Sequence, residues 1–166
     1  MRFFPAALLV LAACSSPVAE SASAGPPAAA GQSARHPVSG LAVVPLRITQ
    51  GDTVHDFRVE VALSGEEQAR GLMFRTEMAA DEGMIFPYRP ARPASFWMKN
   101  TVIPLDLIFV GPDGRIINIA ANATPYSLDS IPSAGPVSAV LELNGGRAAE
   151  LGIEAGATVA WEGVPR

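Results

Sequence analysis

This sequence is short of cysteine, lysine and histidine, and each shortage removes a class of chemistry. Its one cysteine, Cys14, allows no intrachain disulfide and no thiolate metal cluster. Lys and Arg total 12 against 16 Asp and Glu, giving a net charge of -4. A nucleic-acid-binding face would need a basic excess, so nucleic acid is not an expected partner. Of those 12 cations only Lys99 is a lysine. The two histidines are His36 and His55, and no G-x-S-x-G elbow accompanies them, which makes a Ser–His hydrolase improbable. No apolar run reaches the roughly 20 residues that a membrane-spanning helix needs.

What is present divides the chain into three parts. Arg2 precedes an apolar run from Phe3 to Ala13, the layout of a secretory signal. The run ends in Leu11-Ala12-Ala13-Cys14, which resembles a bacterial lipoprotein signal-peptidase box. Residues 1–13 therefore read as a lipoprotein signal peptide and Cys14 as the lipidated N-terminus. Ala22-Ser23-Ala24 offers ordinary signal peptidase a rival cut. Ser15 is compatible with sorting to an outer membrane. Residues 14–40 are mostly Ala, Pro, Ser and Gly, too poor in apolar side chains to repay ordering. They read as a disordered tether in which His36 is incidental. The expected placement is the periplasmic face of a bacterial membrane, lipid-anchored in the cell envelope.

Residues 41–166 read as a single β-rich domain. "LAVVPLRIT" is a strand candidate whose Pro45 suggests an edge. "VHDFRVEVAL" alternates, with Phe57, Val59, Val61 and Leu63 on one face. Ser64 followed by Glu67 is a capping box that starts a short helix through "GEEQARGLM". "EGMIFPY", "LDLIFVG", "RIINIAA", "VSAVLEL" and "ATVAWEG" are further strands, and "NGGRAAELG" a second short helix. The sum is a mainly β fold of seven or eight short strands and two short helices. Closure as a barrel-like or strongly curled antiparallel sheet is expected.

The richest stretch is "FWMKN", residues 96–100, followed by "LDLIF", residues 105–109. Pairing them as a hairpin across residues 101–104 sets Lys99 opposite Asp106 and Trp97 opposite Ile108. Phe96, Met98, Leu105, Leu107 and Phe109 then share a core face. Trp97, Lys99, Asp106 and Ile108 share the other, with Asn100 at the turn. A lysine is a compact charge with three donors, and beside an indole and a carboxylate it marks a candidate site. A plain cross-strand ion pair is the structural alternative. Glu142 lies among apolar neighbours in "VLELNGG", positioned to point into a pocket or to pair with Arg75 or Lys99.

Longer segments carry a resemblance. "VEVALSGEEQARGLMFR", "EGMIF", "FWMKNTVIPLDLIFVGPDGRI" and "VLELNGGRAAELGIEAG" resemble, in order and spacing, the family known as domain of unknown function 192. The resemblance spans about residues 57 to 161 and includes Gly71, Leu72, Met73, Arg75, Trp97 to Thr101, Asp106, Glu142 and Gly146. It implies a small, mainly β, commonly exported bacterial domain with no established activity. One departure is Gly156-Ala157, where the family commonly has Gly-Asp entering the last strand.

The function these residues favour is a binding or accessory module for a small polar ligand or a cell-envelope partner. Arg75, Trp97, Lys99, Asn100, Asp106 and Glu142 would form its site, with no cofactor and no resident metal. Two alternatives remain open. One is a hydrolase using Lys99, with Ser95 or another serine, or the carboxylates Asp106 and Glu142. The other is soft-metal binding, with Met73, Met84 and Met98 offering thioethers to copper.

Overall fold

The computed structural model describes residues 34–162, together with Met1. Cys14 and most of the proposed tether lie outside the described residues. Nine strands and two short helices follow in the order β1 (Val43–Gln50), β2 (Thr53–Val61), α1 (Gly65–Arg70), β3 (Glu82–Arg92), β4 (Ser95–Phe96), β5 (Leu105–Val110), β6 (Ile116–Ala123), β7 (Ile131–Pro132), β8 (Val137–Asn144), α2 (Arg147–Glu150) and β9 (Thr158–Trp161). Seven strands make one sheet in the order β6-β5-β8-β3-β2-β1-β9, while β4 and β7 form a separate pair.

The sheet is mixed rather than antiparallel. β2 and β3 run parallel, because α1 and the loop after it carry the chain back to the same end. The capping box at the head of α1 is present. Glu67 N donates to Ser64 Oγ at 3.1 Å, and Glu67 Oε2 accepts from Ser64 N at 2.7 Å. The backbone N–H groups of Ser64 and Leu63, both donating to Glu67 Oε2, hold the Glu67 carboxyl below its ordinary range.

The sheet is not closed into a barrel. Its two edges touch at one point, where Ile116 N donates to Ala157 O at 2.9 Å and Val159 N donates to Gly114 O at 2.8 Å. Pro45 does not mark an edge, since β1 lies between β2 and β9. The β9 ladder covers only Leu46–Thr49, so Pro45 sits just past its end and owes it no N–H.

Both faces of the sheet are covered. One core gathers Leu46, Phe57, Val59, Ile108 and Leu141, with Ala148 and Ile153 from the α2 region. The other gathers Met84, Phe86, Met98, Leu105, Leu107 and Phe109, with Leu72 after α1 and Phe96 of β4 packed on it. This is why "LDLIFV" is buried at every position of β5, flanked by β6 and β8.

The expected hairpin between residues 96–100 and 105–109 does not form. β4 ends at Phe96 and pairs with β7, not with β5. Thr101 N turns back to Met98 O at 3.0 Å, and Asn100 has φ 56°, so extended geometry stops before Lys99. The apolar face nevertheless forms as expected, because Phe96 and Met98 reach the same core as Leu105, Leu107 and Phe109.

Candidate functional site

The face that was to hold Trp97, Lys99 and Asp106 together is divided between solvent and a buried core. Trp97 is 51% exposed, whereas Ile108 and Asp106 are wholly buried on the far side of the sheet. Asp106 is a structural anchor. Its Oδ1 accepts from Asn122 N at 2.7 Å and Gly146 N at 2.8 Å, and its Oδ2 accepts from Ala148 N at 2.8 Å. Gly146, at φ 84°, opens α2 and has no side chain with which to cap it. The carboxylate from β5 satisfies these N–H groups instead. The postulated Lys99–Asp106 pair is therefore absent.

Arg75 is also committed elsewhere. Its Nη2 lies 2.9 Å from Glu60 Oε1, and both side chains are almost fully buried. His36 Nε2 stands 3.6 Å from the same oxygen, and Ser39 Oγ bonds to Glu60 Oε2. His36 is thus packed against the domain rather than incidental. A concavity of about 810 Å³ lies beside this cluster, between residues 36–41 and the segment around residues 66–79. The Glu60 carboxylate is fully partnered, as a structural ion cluster requires.

Glu142 is different. It sits on β8 opposite Met84 of β3 on one side and Leu107 of β5 on the other, facing the second core. Its side chain is 5% exposed, and Oε2 has no hydrogen-bond partner among the described residues. Burial pushes its carboxyl up to about 8, so at neutral pH it is mainly the protonated acid. An unpaired buried carboxyl carries a desolvation cost that an apolar side chain would not.

Above Glu142 opens a pocket of about 350 Å³, with Trp97, Lys99, Tyr88, Thr101 and Arg70 on its walls and mouth. Gln68 sets the α1 wall by donating from Nε2 to Ala62 O at 3.2 Å and Pro87 O at 3.1 Å. Lys99 is exposed at the mouth, with Nζ 5.1 Å from the centre of the Trp97 ring. Burial raises the Tyr88 hydroxyl pKa; the nearby Arg92 guanidinium, 4.4 Å from the Tyr88 ring centre, opposes that shift and Glu142 reinforces it. Thr101 Oγ1 is turned to Lys99 O at 3.3 Å.

The fold thus brings Trp97, Lys99 and Glu142 together and leaves Arg75 and Asp106 out. Asn100 is adjacent but supports the loop. Its carbonyl accepts from Phe74 N at 2.8 Å, and its Nδ2 points at Met73 Sδ at 3.8 Å. Asp106 and Glu142 face opposite sides of the sheet, so the two carboxylates cannot share one substrate. Ser95 Oγ is engaged with Ser130 Oγ at 2.8 Å. Met84 and Met98 are core filler at 0% and 1% exposure. Among the described residues no three His, Cys, Asp or Glu side chains are grouped to hold a metal ion.

Tyr88 and Arg70 escaped the sequence reading. Tyr88 does share the strand period with Met84 and Phe86, but only the folded pocket brings it to the same lining as Glu142. Arg70 ends α1, and only the docking of that helix brings it to the mouth.

Comparison with known proteins agrees with this architecture. The family model DUF192, described as an uncharacterized ACR, matches residues 46–161. A crystal structure of a protein of unknown function from Novosphingobium aromaticivorans DSM 12444 is 57% identical. It aligns over 80% of this chain and 94% of its own, with a TM-score of 0.77. A crystal structure from Sinorhizobium meliloti 1021, of a protein described as a proposed transcription regulator, is 40% identical. It aligns over 73% of this chain and 95% of its own, with a TM-score of 0.71. No match was found among curated proteins.

Proposed function

For this chain, which belongs to the DUF192 family, we propose a binding module that takes a small polar ligand in the pocket over Glu142. The observation that carries this reading is the unpartnered, buried Glu142 carboxyl facing a pocket with an exposed indole and a free ammonium at its mouth. A volume of about 350 Å³ is at the small end of the ligand-site range. The protonated acid can donate one hydrogen bond and accept others, which suits a neutral polar group on the ligand. The transcription-regulator description of the Sinorhizobium protein is not carried over, because this chain has a net charge of -4.

We place the domain outside the cytoplasm, tethered through lipidated Cys14. The support is Arg2, the apolar run Phe3–Ala13 and the Leu11-Ala12-Ala13-Cys14 box. Intact-mass measurement of the membrane-fraction protein tests this, and an unlipidated chain beginning at Gly25 would refute it. For the pocket, a thermal-shift screen of sugars, organic acids and short peptides should yield ligand-linked stabilisation in the wild type. Glu142→Leu and Trp97→Ala should lose it. A hit that keeps its full effect in both variants binds elsewhere and ends the proposal.

A further inference from the structure

Lys99 and Arg70 both reach the mouth of the pocket, and neither has a carboxylate within ion-pair distance among the described residues. Among the described residues Arg47, Arg58, Arg75 and Arg147 are ion-paired, whereas Lys99 and Arg70 are two free cations lining one pocket. Cations left unpaired at the entrance raise the local concentration of anions and repel cations. Below them the walls are aromatic, from Trp97 and Tyr88, and the floor is the unpartnered Glu142.

Building on the binding reading above, we propose that the ligand is a monosaccharide-sized carboxylate of the uronic-acid class. Its carboxylate sits between Lys99 and Arg70 at the mouth, and its ring hydroxyls reach the Glu142 carboxyl. Three features select this class. An anionic group answers the two unpaired cations. A compact ring with an apolar C–H face and polar edges matches aromatic walls around a polar floor. A neutral floor avoids the repulsion that an ionised carboxylate would exert on an anionic ligand.

That neutrality gives the site a pH dependence. The charged and titratable groups around Glu142 are Arg70 from α1, Tyr88 from β3 with Arg92 on its ring, and Lys99 from the loop after β4. β5 contributes only the apolar Leu107 opposite it. Glu142 ionises as pH rises through about 8, placing a negative charge beneath the ligand.

Isothermal titration with glucuronate, glucose and glucosamine decides the matter, because the three share a ring and differ in charge. At pH 7 glucuronate should bind at least tenfold more tightly than glucose, with glucosamine weakest. Lys99→Gln, an exposed change, should remove most of the glucuronate advantage. Wild-type affinity for glucuronate should fall by up to about tenfold between pH 7 and 9. Glu142→Gln, which cannot ionise, should flatten that fall. If glucose or glucosamine binds as well as glucuronate, the anion assignment is wrong while the polar-ligand reading stands. The same holds if none of the three binds but the broader screen finds another Glu142-dependent ligand. If neither experiment finds a ligand, both readings fail.

Discussion

Replacing Glu142 by Gln should change how stability responds to pH, with a sign and size set by the burial of one group. Unfolded, the Glu142 carboxyl titrates near its ordinary 4.5; folded, it titrates at about 8. The folded-state value is the raised one. Below pH 4.5 the acid is protonated in both states and adds no pH dependence. Between the two values folding must take up a proton, so stability falls by about 1.4 kcal/mol per pH unit. From pH 5 to pH 8 this one residue should remove about 3–4 kcal/mol. Above 8 the loss levels off. Gln keeps the shape and cannot ionise. Urea unfolding of wild type and Glu142→Gln at pH 5, 6, 7 and 8 isolates the effect, because every other titrating group cancels in the difference. The variant should gain on the wild type as pH rises, approaching about 3–4 kcal/mol by pH 8. Parallel curves would refute the reasoning, since they would mean that the carboxylate keeps its water or finds a partner in the folded protein.

Three further outcomes follow from neighbouring features. Asp106→Ala strips three backbone N–H groups, that of Ala148 fully buried, of their acceptor and should cost about 3–5 kcal/mol, whereas Lys99→Ala should cost less than about 0.5 kcal/mol. A double-mutant cycle between the two by urea unfolding should show coupling of about zero. Arg75→Ala leaves Glu60 charged and buried with only His36 and Ser39 beside it, and should cost about 3–5 kcal/mol by the same assay. Gly83→Ala would put a methyl 2.5 Å from Glu142 O and 2.8 Å from Leu143 Cδ2. It should destabilise by about 1–3 kcal/mol or more and shift the β8 backbone under the pocket, read as altered amide shifts around Glu142.

Local chemistry was legible in the sequence and long-range pairing was not. The Ser64–Glu67 box announced α1, and alternation sorted Phe96, Met98, Leu105, Leu107 and Phe109 onto one core. Both depend on neighbours a few residues apart. The hairpin does not form because its two segments, neighbours in sequence, are not neighbours in the sheet. A left-handed Asn100 ends the first segment early, and β5 finds its partners in β6 and β8. That misplacement turned Asp106 from a cap on α2 into a supposed partner for Lys99. Arg75 was misplaced for a similar reason, since its partner Glu60 reads in sequence as one exposed position of an alternating strand. In the fold it is 3% exposed, covered by the segment that holds His36 and Ser39. Glu142 was legible as an acid among apolar neighbours. The absence of a partner for it was not, because that depends on everything else packed around β8.

The most direct test of the pocket is nuclear magnetic resonance mapping with the best-stabilising compound from the screen. The Trp97 indole N–H, the Lys99 amide and the amides flanking Glu142 should move together and saturate at one dissociation constant, while Trp161 stays still. Shifts confined instead to His36, Phe74 and Arg75, around the larger concavity, would contradict the assignment of the ligand site to Glu142.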